Sequence, residues 1–567
     1  MLLMGDFETT TKADDCRVWA SCLVDIETNK TIHLANNLDD TFNYIKILLK
    51  FTNVTIYYHN LKFDGEFWLH YLLSQGFTYE SKLDQKNCFN TLITDTGAFY
   101  QLVFKFGKGR NAKKVTILDS LKILPLPVKA LAKAFNLPIE KGEIDYHAAR
   151  SVGHIITDEE KKYIENDCKI VAACLKTMFD QGLNKMTLAS NAMSNYKELI
   201  GKKEFNSRYP QLNTNHMGNN KDIVTIDDFI RKSYKGGYTY VNEKFQGKEI
   251  NMVGHTYDVN SLYPSQMYNA LLPYDYPVYY TGPYENNENY PLYIQHIKCK
   301  FKLRKNHIPI IQIKGNCRFG ETEYLKTSGP ERVDLYLTNI DLELIKKHYI
   351  LTNLEYIDGY MFKGKVGLFK EYIDYWIGVK IQAEKDGNKG LRQIAKLMLN
   401  SLYGKFAQSP SSSLKVPSLN SENITQMEIV EDEDRDLVYT AMASFITANS
   451  RKVTITAFQD NIDRCCYCDT DSIHLIGDEE PKIDIDSVKL GAWKHEGTWN
   501  YAKFIRAKTY MEQFGDELDV KCAGMPQNLK EKVTKENFKV GLTLPGKKIP
   551  KRVPGGVILV ETDFTIK

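Results

Sequence analysis

The tightest constraint in this chain is CCYCDTDSIHL, residues 465–475, where Asp469 and Asp471 sit two apart in a run otherwise suited to a buried strand. Side chains alternate faces along a strand, so residues two apart point the same way, about 7 Å from each other. Two anions at that distance repel by roughly 2 kcal/mol at an effective dielectric of about 20, and desolvation adds to the cost. A fold that keeps both must protonate one, supply a cation or bind a metal. The alternative is an exposed turn, because Asp-Thr-Asp-Ser has turn composition.

The same logic recurs near the start. In GDFETT, Asp6 and Glu8 are two apart on an expected strand beside apolar neighbours. HNLKFDGEF places Asp64 at the end of an expected strand and loop. The helix expected over TDEEKKYIENDCKIVAACLKTMF opens on a capping box, Thr157 with Glu160, and sets Tyr163 and Asp167 one turn apart. Asp167 falls beside Ile164, Cys168 and Val171, the side that packs inward. Four carboxylates and a tyrosine to orient water suit phosphodiester hydrolysis with two metals about 3.5–4 Å apart.

A second set begins at YDVNSLYPS, where Asp258 follows a strand-like stretch and Tyr263 opens a helix. Alone, Asp258 fits a helix N-cap. With Asp469 and Asp471 it makes a second acidic pocket, which calls for a phosphate-bearing partner. On the helix expected over residues 391–406, Arg392, Lys396, Asn400 and Tyr403 fall within a sector of about 80°, opposite Ile394, Leu397, Met398 and Leu402. Such a helix packs by its apolar side and offers cations, an amide and a ring to a nucleoside triphosphate. Standing alone it is equally a plain amphipathic surface helix.

Composition sets outer bounds. A chain of 567 residues with 43% hydrophobic and 26% charged residues is an ordinary multidomain globular protein. Net charge is only +3, so no global basicity points to nucleic acid, but residues 521–567 carry ten Lys or Arg against four Asp or Glu. Residues 105–114 hold five basic side chains and no acid. Eleven cysteines, odd in number and mostly isolated, indicate a reducing compartment rather than a disulfide framework. Cys465, Cys466 and Cys468, with His474 alone nearby, fall short of finger-like zinc spacing. No run reaches a membrane span, and Asp6 and Glu8 interrupt the apolar start that a signal peptide needs. The first part reads as α/β, residues 184–225 as a polar, irregular boundary, and residues 410–423 as a loop or β-rich insertion.

Taken in order, DFETT, HNLKFDGEF, YIENDCKI, YDVNSLYP, KLMLNSLYGKF, YCDTDS and KTY make the chain resemble the family B DNA polymerases. More narrowly, it is similar to the protein-primed replicases of small Bacillus-type tailed phages. The resemblance runs from residue 5 to 567. It implies an α+β multidomain fold: an RNase H-like 3′-5′ exonuclease domain plus a right-hand polymerase with two protein-priming insertions. The implied divisions are 1–187 exonuclease, 188–269 palm, 270–367 an insertion contacting a terminal protein, and 368–407 fingers. Residues 408–433 match an insertion for processivity and strand displacement, 434–522 the rest of the palm, and 523–567 the thumb.

By the same resemblance, Asp6, Glu8, Asp64 and Asp167 hold the exonuclease metals, with Tyr163 orienting water and Lys141 assisting. Glu143 stands where the family has Asp. Thr9, Tyr57, His59, Asn60, Phe63, Phe67, Ser120, Leu121 and Tyr146 match positions that hold a single-stranded 3′ end. CCYCDTDSIHL is similar to a palm hairpin of the family, in which Asp258, the Val259 carbonyl and Asp471 match the polymerase metal ligands, with Asp469 in support. Lys380 and Lys396 match triphosphate-binding lysines, although residues 381–391 exceed the family pattern in length. Tyr263, Asn400 and Tyr403 line the nucleotide pocket, and Tyr263 is expected to exclude a ribose 2′-hydroxyl. Tyr234, Gly236 and Gly237 match the YxGG element, Lys508 and Tyr510 the KxY primer clamp, and Ser261 and Gly404 further DNA contacts. The implied cofactor is Mg²⁺, two ions per centre, or Mn²⁺ in its place. Implied partners are primer and template DNA, deoxynucleotides, a terminal protein and a single-stranded DNA-binding protein. The expected setting is the infected host's cytoplasm, with no membrane and a monomeric enzyme. Two rival readings remain: a glycosyltransferase using a DxD pair, and a nuclease with an inactive polymerase half.

Overall fold

The computed structural model describes residues 1–109, 111–146, 148–218, 223–314, 323–430 and 437–567. Arg110 of the basic run lies outside the described residues, as do residues 219–222 of the expected boundary, 315–322 of the first insertion, 431–433 of the second and 434–436 of the second palm segment.

The N-terminal sheet has eight strands, and its centre is three parallel strands, Leu2–Thr9, Val54–Tyr58 and Lys114–Asp119. Alternation along these strands divides the core between two faces. Leu3, Phe7, Ile56 and Tyr58 pack with Phe42, Trp68 and Leu69 from helices Leu38–Leu48 and Leu61–Ser74. Met4 and Tyr57 pack with Ile164, Cys168 and Val171 of helix Asp158–Asp180. That helix carries the expected capping box, in which the Thr157 side chain accepts from Glu160 N and the Glu160 side chain from Thr157 N. Asp6 and Glu8 share the Met4 parity, so they face this helix and its Asp167.

Asp64 is not on a loop as expected. It occupies the first turn of helix Leu61–Ser74, started by Asn60 in the left-handed region at φ 79°. The supposed irregular boundary also contains helices, Leu188–Ile200 and Lys202–Arg208. Its Asn and Ser content masks an inward row of Leu188, Ala192, Met193 and Tyr196 at helical spacing.

The second sheet runs Trp493–Trp499, Gly254–Val259, Ser472–Ile476, Cys465–Asp469, Thr239–Val241. CCYCDTDSIHL is therefore a hairpin of two strands, as the resemblance implied, rather than the single strand that alternation alone suggests. Thr470 and Asp471 form the turn between them, with Thr470 at φ 60°. Two-residue hairpin turns need positive φ, so the Asp-Thr-Asp-Ser composition was the better guide than alternation. Both aspartates are nevertheless half-buried rather than exposed. The three cysteines beside them are buried free thiols that pack in the strand.

Behind this sheet lies the buried helix Thr440–Asp460. Residues 270–367 build a four-stranded antiparallel sheet of Leu271–Thr281, Tyr349–Val366, Leu292–Leu303 and Val333–Thr338. The helix expected over 391–406 divides into Lys389–Ser401 and a tighter turn, Tyr403–Ala407, and Leu397 is half-buried rather than core. It pairs with helix Lys370–Lys385, and residues 381–391 form the end of that helix, a turn, the Asn388 cap, whose side chain accepts from Leu391 N, and the start of the next helix.

The 410–423 region is the start of a hairpin, Leu414–Leu419 with Thr425–Val430. The C-terminal hairpin, Thr543–Val553 with Gly556–Thr565, docks onto the N-terminal domain. Arg552 makes a bidentate pair with Glu66, at 2.8 and 2.6 Å. No helix among the described residues is long and apolar enough to cross a membrane.

Two candidate acidic centres

The first centre gathers Asp6, Glu8, Asp64 and Asp167 from one strand and two helices. Burial lifts Asp6 to about 7, with the Asp167 charge adding and Lys141 opposing. Burial lifts Glu8 to about 9, helped by Asp6 and Asp167. Asp64 is pushed well above the carboxylate range, first by burial and then by Asp6. Asp167 is raised by burial and held back by Lys141, whose Nζ bonds its Oδ2. Asp6, Glu8 and Asp64 therefore each feel at least one other acid of the set, the signature of a site short of positive charge.

A divalent cation fits this set. Hard oxygen donors are what Mg²⁺ takes, and Asp167 Oδ1 is buried without a hydrogen-bond partner. Among the described residues no three acidic, His or Cys groups yet close tightly enough to grip an ion. Tyr163 shares its hydroxyl with Tyr146 at 2.7 Å, and Lys141 Nζ lies 5.4 Å from the Tyr163 ring centre. Glu143 is exposed, and among the described residues nothing joins it to the cluster.

Around this centre, Thr9 ends the first strand and Asn60 N donates to Asp119 Oδ1 at 3.0 Å. His59 Nε2 donates to the Leu126 carbonyl at 2.8 Å, and its Nδ1 stands 3.0 Å from Ser120 Oγ. Leu121 N also donates to Asp119 Oδ1. Sequence reading missed Asp119, whose only mark was an acid closing the strand ILDS. Phe63 is half-buried and Tyr146 exposed, both open to a strand. Tyr57, Phe67 and Ser120 are instead buried in the core, Phe67 beneath Gly556 of the C-terminal hairpin.

The second centre lies at the hairpin turn. Asp258 pairs in register with Ser472 on one side and Lys494 on the other, and Val259 N donates to the Asp471 carbonyl at 2.8 Å. Burial lifts Asp258 to about 7, with Asp471 and Glu496 adding and Lys494 and His474 opposing. Asp471 is raised mainly by burial. Asp469 turns aside: Lys508 Nζ contacts both its oxygens at 2.9 and 2.7 Å, and Thr239 Oγ1 donates to it at 2.8 Å. The pair that opened the problem thus splits, with Asp471 facing Asp258 and Asp469 tied to the Lys508 loop. Lys494 went unnoticed in the sequence, because only the register places it beside Asp258.

Tyr263 and Tyr403 stack at 4.1 Å with 21° between their rings, close enough to Asp471 that its charge raises the Tyr263 hydroxyl, after burial and Tyr403. Ser261, at φ 54°, starts the Tyr263 helix. Lys396, Asn400 and Gly404 are exposed and Lys380 half-buried. Tyr234 lies near Tyr403, and Arg451 Nη1 donates to the Gly236 carbonyl at 3.0 Å. Gly237 faces the turn itself, where a Cβ would lie 2.5 Å from Thr470 Oγ1. Tyr510 packs on Tyr467 at 4.8 Å, and Lys508 N donates to the Tyr467 hydroxyl at 2.9 Å.

One chain that joins an acidic parallel-sheet domain to an acidic hairpin backed by paired helices has the architecture of a DNA polymerase with an exonuclease domain. The chain belongs to the family described as DNA polymerase type B, organellar and viral, whose pattern matches residues 45–155 and 149–490; it is a DNA-directed DNA polymerase. It is 47% identical to the DNA polymerase of Bacillus phage M2, across 99% of both chains. It matches the structure of Phi29 DNA polymerase complexed with primer-template DNA with a TM-score of 0.92, at 44% identity and over all of both chains. The form that also holds incoming nucleotide substrates matches equally well, with a TM-score of 0.92, 44% identity and full coverage of both chains. The match across both halves leaves no room for a glycosyltransferase. The family carries a divalent-metal requirement.

Proposed function

We propose that this enzyme is a phage replicase that starts synthesis on a hydroxyl of a terminal protein, elongates with strand displacement and proofreads through its own 3′-5′ exonuclease. The observation that carries the reading is the presence of two separate acidic centres on two different sheets. DNA and deoxynucleotides as ligands rest on the complexes solved for the Phi29 enzyme.

At the N-terminal centre, Asp6, Glu8, Asp64 and Asp167 would hold the cations, and Tyr163 and Lys141 would position the attacking water. At the second, Asp258, the Val259 carbonyl and Asp471 are the proposed ligands, and Asp469 supports the turn through Lys508. When bound, two divalent cations at each centre, Mg²⁺ or Mn²⁺, supply the charge that activates the attacking oxygen and steadies the leaving one. Lys380 and Lys396 neutralise the triphosphate, Asn400 and Tyr403 line its pocket, and Tyr263 presses beneath the sugar. A mismatched 3′ end unpairs at lower cost, so it reaches the hydrolytic groove more often. Residues 270–367 are assigned to terminal-protein contact and 408–433 to strand displacement. A single-stranded DNA-binding protein and the host cytoplasm complete the proposed setting.

Asp471→Ala is expected to abolish synthesis and keep hydrolysis, and Asp6→Ala with Glu8→Ala to do the reverse. Loss of both activities in either variant refutes the division of labour. Terminal-protein-dependent incorporation of a labelled deoxynucleotide tests the priming assignment, and incorporation only from a DNA primer overturns it.

A further inference from the structure

His474 and Glu512 form a hydrogen-bonded pair in the interior that neither centre uses. They are 1% and 3% exposed, and His474 Nδ1 lies 2.6 Å from Glu512 Oε1. Thr256 Oγ1 donates to the same carboxylate oxygen at 3.3 Å and sits 3.2 Å from Nδ1. Three strands thus meet at one oxygen: Gly254–Val259 through Thr256, Ser472–Ile476 through His474, and Thr509–Phe514 through Glu512.

The placement is specific. Thr256 pairs across strands with His474, and two residues further, on the same face, Asp258 pairs with Ser472 at the Asp471 turn. Glu512 follows Tyr510 by two on the strand that leaves the Lys508 turn. The imidazole is boxed by Tyr467, Tyr510 and Phe504, with ring centres at 5.2, 5.3 and 5.6 Å. Its Nε2 is buried without a partner.

Stability alone is a poor reason for such a pair. Replacing a buried ion pair by apolar residues is often neutral or stabilising, whereas removing one partner costs several kcal/mol, and the best-attested use of these pairs is to set register. We propose that His474 and Glu512 are positioning residues of the polymerisation centre, clamping the sheet that carries Lys508 and Tyr510 in register with the strands that carry Asp258 and Asp471. The inference rests on Asp258 and Asp471 being that centre.

The test uses the full chain with His474→Leu, Glu512→Leu, their double variant, Glu512→Gln, His474→Gln and, as reference, Asp471→Ala. Melting temperature, single-nucleotide incorporation at saturating deoxynucleotide, KM for deoxynucleotide and hydrolysis of a single-stranded oligonucleotide are measured. Each single leucine variant is expected to lose stability and the double to regain it, because no charge is left buried alone. Incorporation by the double variant is expected to stay about tenfold or more below the parent, with KM and hydrolysis within about twofold. His474→Gln, which still donates to Glu512, is expected to recover part of the rate. If the double variant recovers rate together with stability, the pair is packing only and the proposal fails. Glu512→Gln, which still accepts from His474, is expected to keep part of the rate, and should the apolar pair not fold, a full rate in Glu512→Leu overturns the proposal. Synthesis surviving in Asp471→Ala would refute the assignment of the centre itself, a result distinct from failure of the clamp.

Discussion

Gly237→Ala is expected to slow nucleotide incorporation by about 100-fold while sparing hydrolysis of single-stranded DNA, and the size follows from one contact. A Cβ at residue 237 would stand 2.5 Å from Thr470 Oγ1, 2.8 Å from Cγ2 and 3.1 Å from Cβ. Ordinary carbon contacts begin near 3.4 Å, so the turn must retreat by roughly 1 Å, an overpacking cost of about 1–3 kcal/mol. Thr470 has little freedom to give way. Its N donates to the Tyr238 carbonyl at 2.8 Å, its carbonyl accepts from Thr454, and its hydroxyl donates to Asp469 at 3.1 Å. Displacement therefore passes to Asp469 and Asp471, and a misplacement of about 1 Å at a reacting centre costs on the order of 100-fold in rate. The assay is primer extension at saturating deoxynucleotide, with single-stranded hydrolysis and melting temperature followed in parallel. Gly236→Ala, whose Cβ meets nothing within 4 Å, should lose far less. Thr470→Gly removes the clashing atoms and relieves the positive φ, so Gly237→Ala with Thr470→Gly should regain much of the rate. Incorporation within about twofold of the parent in Gly237→Ala, or equal losses at both centres, would refute the steric reasoning.

In EDTA, the enzyme should lose stability as pH rises from about 5 to 9, because Asp6 stands near 7 and Glu8 near 9 when folded, against ordinary values of 3.8 and 4.5. With folded values raised, the stabilisation is complete below the unfolded values and disappears as pH climbs through the folded ones; a melting temperature that rises over this range would contradict it, and Mg²⁺ or Asp6→Asn should flatten the profile. Tyr263→Val removes the ring stacked at 4.1 Å on Tyr403 and should admit ribonucleotides that Tyr263→Phe rejects, as read from competing incorporation; unchanged discrimination would remove Tyr263 from the sugar pocket. Lys508→Met should change stability by about 1 kcal/mol or less, since the lysine side of its pair with Asp469 is 59% exposed. It should also lower the salt slope of primer-template binding by about one, and an unchanged slope would mean that Lys508 touches no phosphate.

Much of both centres was legible in the chain because their residues are local. Asp6 and Glu8 lie on one strand, Tyr163 and Asp167 on one helix turn, and each spacing carries its own geometry. Where reading went astray, a nonlocal contact or a single backbone angle decided. Asn60 at φ 79° moves Asp64 from loop to helix. The basic run at 105–114 looked like a free charged patch, yet Lys105 is buried with its Nζ on the Gly109 carbonyl at 2.9 Å. Tyr57, Phe67 and Ser120 matched a DNA groove by likeness and are buried in the structure.

By itself, the sequence determined which acids are costly to bury, which helices are amphipathic and capped, and that two acidic sets exist, because those properties arise from neighbours within about a turn of helix or a pair of strand residues. Only the tertiary structure decided that Lys494 sits beside Asp258, that Lys508 takes Asp469, and that Glu512 reaches His474 across two sheets. Strand register and sheet packing bring together groups from separate strands and turns, and no local spacing encodes that choice.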